Sequence, residues 1–193
     1  MFHHCLGLVL LALAASAQAN DFSRHAGRAV GATAGIAASI YVHELGHAAS
    51  PQLQGATDIR IQVPGEQCRL LCGATHARFS QPPSAQAQRW NSAAGLLASN
   101  LVSEALMDRR AWATSGIGQG FIAANLYTNL AHAYTYYTRH VGVDGYRGND
   151  IDAFEAAGGN PHVLSAALVG YSLYAVKRMR DRHIPLMFVQ LRF

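Results

Sequence analysis

Charged side chains are scarce in this chain: Asp, Glu, Lys and Arg together make up 13% of its 193 residues, against roughly 25% in an ordinary soluble domain. The basic residues are almost all arginine and stand singly, apart from the cluster Lys177, Arg178, Arg180 and Arg182. No basic stripe interleaved with aromatics exists, and this excludes a nucleic-acid-binding face. The net charge of +4 is read instead as cations flanking apolar helices and facing lipid headgroups. Internal repeats and low-complexity tracts are also missing, so a solenoid is excluded. The alternating segment IPLMFVQLRF at the C-terminus has no counterparts upstream, whereas an outer-membrane barrel needs such strands throughout.

What the chain does contain is apolar: half of its residues are hydrophobic, yet the mean hydropathy is only +0.07. Much of the apolar content is Ala and Gly, small residues that suit close helix packing in a bilayer. The length fits one domain with a sizeable core.

The N-terminus reads MFHHCLGLVLLALAASAQAND. An apolar stretch from Cys5 to Ala15 followed by Ala17-Gln18-Ala19 has the layout of a secretory signal, although its first residues carry His3 and His4 in place of Lys or Arg. Residues 1–19 are therefore assigned to a signal peptide and 20–193 to a single membrane-embedded domain. Removal of the signal leaves Cys68 and Cys72, which are read either as a disulfide closing a small loop or as two free thiols, with zinc ligation by them a distant third.

Residues 29–49 (AVGATAGIAASIYVHELGHAA) form an uninterrupted run of small and apolar residues, broken only by His43, Glu44 and His47 and ended by Pro51. A run of roughly 20 residues matches the thickness of a bilayer, so this segment is expected to be a spanning helix. Residues 50–90 form a polar insertion: DIRIQV alternates, Pro64-Gly65 marks a turn, and a second extended stretch runs to Phe79 before a Gln/Pro/Ser-rich connector. This predicts a β-hairpin. Three more helices are expected within 91–193, over 91–107, 117–138 and 162–176, with a short helical turn starting near Asp150. The expected fold is thus an all-α membrane protein with about four transmembrane helices and a small β-hairpin insertion.

His43-Glu44-Leu45-Gly46-His47 is an HExxH motif. On a helix, residues four apart share a face, so both imidazoles can ligate one zinc ion. Glu44 is turned about 100° from His43, within reach of a water at the metal without joining the ligand set. Zinc lowers the pKa of such a water towards about 7, and the glutamate removes the proton. An ionisable residue in an apolar helix costs on the order of 2–3 kcal/mol and marks function; here three fall within five positions.

A third protein ligand is needed. The gluzincin pattern offers Glu66 and Glu104, while residues 48–53 lack the Gly and His of the metzincin extension. Asp150 is preferred: it opens DIDAFEAA, where a helix N-terminus favours an ionised carboxylate, and it follows Gly148 and Asn149. Asp144, in Asp144-Gly145, is its rival, and Asp152 comes third. His132 lies among Tyr134, Tyr136 and Tyr137 and is read as a packed or interfacial residue, the tyrosines as an interfacial belt. Asn125 and Asn129 share a helix face and are left between two roles, hydrogen-bonding a substrate backbone or bonding between helices.

With HELGH inside an apolar helix, AAGLLASN at Ala93 to Asn100 and an Asp after the third long helix, the chain resembles the site-2 protease family of intramembrane zinc metalloproteases. It does so as a divergent member, lacking a proline after the glycine of AAGLLASN. The resemblance implies an Asp as third zinc ligand, in an Asp-Gly context, and a substrate that is a membrane protein's helix. The expectation is zinc-dependent peptide hydrolysis within or beside the membrane of an exported, inner-membrane-type protein. Zn2+ would be held by His43, His47 and Asp150, with Glu44 as general base and with a lipid bilayer and a membrane-anchored polypeptide as partners. The alternatives are an exported zincin peptidase that is soluble or membrane-associated, and a non-enzymatic zinc-binding helical membrane protein.

Overall fold

The computed structural model describes residues 21–63, 73–138 and 149–186. The elements are helix α1 (Asp21–Leu53), strands β1 (Thr57–Gln62) and β2 (Ala74–Arg78), and helices α2 (Ala85–Asp108), α3 (Arg110–Ala113), α4 (Gly116–Thr138), α5 (Asp150–Ala156) and α6 (Pro161–Asp181). Residues 1–19, Glu66, Cys68, Cys72 and Asp144 lie outside the described residues, and with them the expectations for a signal peptide, a disulfide and the rival ligand.

Local sequence sets several boundaries. Ser84 caps α2 by accepting from the Ala87 N–H, and Asn160 caps α6 by accepting from the His162 and Val163 N–H groups. Pro161 at the first position of α6 starts a helix at no cost, because its missing N–H would have had no partner. Asn149 forms a full capping box with Asp152 at the start of α5.

Helices α2 and α4 pack on α1, and α6 packs on α4 and α5. Small residues make the α1–α4 crossing close. A Cβ on Gly35 would lie 2.0 Å from the Ile117 carbonyl oxygen, and one on Gly120 would lie 2.0 Å from the Ala32 carbonyl oxygen. Backbone therefore meets backbone at this seam, and any larger residue at either position would push the helices apart.

Two apolar clusters carry the core. One joins Met107, Ala113, Ile122, Leu126, Ala175, Met179 and Ile184, and the other joins Leu96, Ala133, Ile151 and Leu168. Between α2 and α4 the interior is polar: Asn125 and Asn129, both fully buried, donate through Nδ2 to Asn100 Oδ1 at 2.9 and 2.8 Å. Of the two roles open to these asparagines, the structure shows the bond between helices.

The hairpin pairs β1 with β2 in antiparallel register, from Thr57 opposite Arg78 to Gln62 opposite Ala74. The chain is mostly helical, with a small two-stranded sheet. The transmembrane architecture is corrected: among the described residues no helix is long and apolar enough to cross a membrane. The reason lies in what makes the helices apolar. Ala and Gly contribute little transfer free energy compared with Leu, Ile, Val and Phe. The helices also carry Arg24, Arg28, His43, Glu44 and His47 on α1, Gln119, Asn125, Asn129 and His132 on α4, and four charged residues from Lys177 to Asp181 on α6.

Candidate metal centre

The HExxH motif sits on α1 where that helix crosses α2. A Cβ at Gly95 of α2 would lie 2.4 Å from His47 Nε2 and 2.8 Å from the His43 carbonyl oxygen, so a glycine is required for α2 to pass this close. Asn91, one turn earlier on α2, accepts a hydrogen bond from His47 Nδ1 on its main-chain carbonyl at 2.7 Å. A carbonyl only accepts, so the proton is on Nδ1 and the Nε2 lone pair of neutral His47 points inward. Fixing a tautomer through the second nitrogen is how ligating histidines are usually oriented.

Asp150 arrives from the other side, as the first residue of α5. Asn149 pins that helix to α4, donating through Nδ2 to the His132 carbonyl at 2.9 Å and to Thr135 Oγ1 at 2.7 Å. Asp150 Oδ2 then lies 3.0 Å from His43 Nε2 and 3.3 Å from His47 Nε2, and the two imidazole nitrogens are 3.1 Å apart.

This triangle fits a zinc ion. Four ligands at zinc distances of 2.0–2.1 Å in a tetrahedron are separated by about 3.4 Å, close to the three separations observed. The donor chemistry agrees. His47 offers a lone pair and Asp150 a carboxylate oxygen, while His43 Nδ1 is buried without a partner, leaving Nε2 as the working atom of that ring. Acceptors converging on one point repel unless protons or a cation lie between them. Without a metal, protons on the imidazoles fill that role; a divalent cation satisfies all three ligand atoms at once.

The electrostatics of these groups follow from the same contacts. Burial acts to lower the pKa of His47, but the Asp150 carboxylate, by charge and by hydrogen bond, and the Asn91 carbonyl carry it up to about 9. Burial likewise opposes ionisation of Asp150, yet the charges of His132 and His47 and the hydrogen bonds from His43 and His47 hold its carboxyl well below the usual range. His132 is pushed down, chiefly by burial.

Glu44 is buried beside this triangle and is held by the hairpin. Thr75 Oγ1 lies 2.8 Å from Glu44 Oε2 and 3.0 Å from the Glu44 carbonyl oxygen. Gly73 allows the approach, since a Cβ there would lie 2.3 Å from Glu44 Cγ. A cleft of about 670 Å³ opens here, lined by His43, Glu44, His47, Asp150 and residues of β2 and α4.

The structure thus brings together His43, Glu44, His47 and Asp150, and it adds one residue that sequence reasoning treated as packing. His132 Nε2 lies 3.7 Å from Asp150 Oδ2, and its ring stacks on that of His43 with centroids 5.9 Å apart. His43, His132 and Asp150 offer ligand atoms that all lie within 4.8 Å of one another. The signal was present in the sequence as spacing: Asn125, Asn129 and His132 form one polar face of α4, directed inward.

Other candidates are used elsewhere. Asp152 closes the capping box of α5 by accepting from the Asn149 N–H at 3.2 Å. Glu104 and Asp108 both pair with Arg178 of α6, which removes Glu104 from the ligand candidates. The chain matches no family model, no curated protein and no solved structure.

Proposed function

We propose that the chain is a zinc-dependent peptidase in which His43, His47 and Asp150 hold the metal and Glu44 is the general base. The observation that carries the reading is the triangle of His43 Nε2, His47 Nε2 and Asp150 Oδ2, with sides of 3.0 to 3.3 Å and Glu44 lining the same cleft. This reading invokes no spanning helices, since among the described residues no helix is long and apolar enough to cross a membrane.

Zinc at this point would supply Lewis acidity, polarising a scissile carbonyl and bringing the pKa of a water towards about 7. Glu44 accepts a proton from the attacking water, whose oxygen bonds to the carbonyl carbon. The carboxyl then delivers that proton to the amide nitrogen as the C–N bond breaks, giving a carboxylic acid and an amine; the acid's proton passes to the amine, leaving a carboxylate and an ammonium group. The Thr75 hydroxyl orients the carboxylate through Oε2. Strand β2 pairs with β1 on one edge and lines the cleft through Ala74, Thr75 and Ala77. An extended substrate can align along this strand by main-chain hydrogen bonding.

The convergence of His132 on the same carboxylate favours a second reading, a closed site of three histidines and one aspartate that stores or carries a divalent metal without hydrolysis. The two readings differ in what Glu44 does. The test is zinc analysis of the purified full chain together with cleavage of unfolded casein and a fluorogenic peptide library. The peptidase reading expects one zinc per chain, cleavage abolished by 1,10-phenanthroline and restored by zinc, and no cleavage by Glu44→Gln. Bound zinc without cleavage in any assay favours the storage reading.

A further inference from the structure

His132 reaches the cleft with a definite hydrogen-bonding polarity. The main-chain N–H of Asp150 donates to His132 Nδ1 at 3.2 Å. A main-chain N–H can only donate, so Nδ1 is unprotonated and the neutral ring carries its proton on Nε2. His47 is held the opposite way, with Nδ1 donating to the Asn91 carbonyl and the Nε2 lone pair facing inward. The two rings share one site but present opposite groups to it, His47 an acceptor for a cation and His132 an N–H donor.

That donor is not consumed by its neighbour. At 3.7 Å from Asp150 Oδ2, Nε2 lies beyond ordinary hydrogen-bond reach, and His132 lines the cleft together with Glu44. The ring stacks on His43 and accepts from the Asp150 N–H, while Asn149 Nδ2 holds the main chain beneath it through the His132 carbonyl at 2.9 Å. Asp150 therefore contributes twice, its carboxylate belonging to the metal triangle and its main chain setting the tautomer of His132.

We infer that His132 is a catalytic hydrogen-bond donor and not a fourth metal ligand: its Nε2–H binds the carbonyl oxygen of the scissile peptide as negative charge develops there. The inference rests on the peptidase reading and assigns that activity its electrophilic group, since a preorganised donor aimed at a developing oxyanion acts chiefly on the transition state.

The experiment uses the purified full chain and compares wild type, His47→Ala, His132→Ala and His132→Gln. Zinc affinity is read by competition with a chromophoric chelator, and kcat and KM are read on the fluorogenic peptide that the wild type cleaves. His132→Ala is expected to keep one zinc per chain at near wild-type affinity, while kcat falls on the order of 10²–10³-fold with KM little changed. His132→Gln, which retains an N–H donor, recovers part of the rate, and His47→Ala loses zinc. The ¹⁵N signals of His132 should show the proton on Nε2 both with and without zinc, a readout that requires no variant to fold. Loss of zinc from His132→Ala to the extent seen in His47→Ala, or a His132 Nε2 that loses its proton when zinc is added, makes His132 a ligand and overturns the inference. Unchanged kcat in His132→Ala overturns it as well. A wild type with no zinc-dependent cleavage overturns the peptidase reading itself, and that outcome is visible before any variant is examined.

Discussion

Thr75 Oγ1 lies 2.8 Å from Glu44 Oε2 and 3.0 Å from the main-chain carbonyl oxygen of the same residue, so the hairpin and the HExxH helix meet at the proposed general base. A carboxylate tied by one hydroxyl keeps its orientation without losing its ability to accept a proton. This contact links a strand with no ligand of its own to the chemistry of the cleft.

Glu44→Gln should keep one zinc per chain and lose hydrolysis by on the order of 10²–10⁴-fold, because glutamine keeps the shape and cannot accept the water's proton. Thr75→Val should keep zinc and lose about tenfold in kcat, the scale of one hydrogen bond to a charged group. Zinc content and peptide turnover measured on the same preparations check both. Near-normal turnover in Glu44→Gln would remove Glu44 from the role.

Asp150→Ala should weaken zinc binding on the order of a hundredfold, since it deletes one of three protein ligands from a site whose affinity is shared among them. Asp144→Ala should leave zinc content close to that of the wild type. Chelator competition on the two variants decides between the carboxylates, and the opposite pattern would transfer the role to Asp144.

Gly95→Ala should damage both fold and site, because the added Cβ would lie 2.4 Å from His47 Nε2 and 2.8 Å from the His43 carbonyl oxygen. Overpacking of this kind costs about 1–3 kcal/mol, read as a lower Tm, and zinc affinity should fall with it. Gly27→Ala is the control. Gly27 is exposed within α1 and a Cβ there meets nothing within 4 Å, so alanine should raise stability by about 0.5–1 kcal/mol through helix propensity. Equal effects of the two substitutions would contradict the close crossing.

The metal-free protein should lose stability as pH rises from about 6.5 to 9. His47 has its pKa raised from 6.5 to about 9, so its contribution is complete below 6.5 and disappears as pH passes through 9. Asp150 is depressed; its contribution is present above the unfolded carboxyl value of 3.8 and is lost only in acid. His132 is lowered and loses its contribution below 6.5. Of these three groups, only His47 therefore acts on stability between pH 6.5 and 9. Thermal melting of chelator-treated protein across that range should show a Tm falling by several degrees, and Asp150→Asn should flatten the profile. A Tm that rises over this range in the chelator-treated wild type would contradict the pairing.

The sequence by itself determined the helices, the hairpin and the identity of the motif. Periodicity, Pro51, the Asn and Ser caps and the five-residue HELGH spacing are local, and local rules of backbone geometry act on them directly. Position along the chain also singled out Asp150, through the Gly-Asn pair before it and the helix it opens. Only the tertiary structure decided the rest. An apolar count cannot distinguish Ala and Gly that pack helix against helix from Leu and Ile that face lipid, so the composition pointed to membrane spans, whereas Gly35 and Gly120 are occupied by the α1–α4 crossing. The place of His132 beside the site became legible only in the fold, for a related reason. Whether an imidazole presents a lone pair or a proton depends on what its far nitrogen meets, and for His132 that partner is a main-chain N–H 18 residues away in sequence, brought there by the docking of α5 on α4.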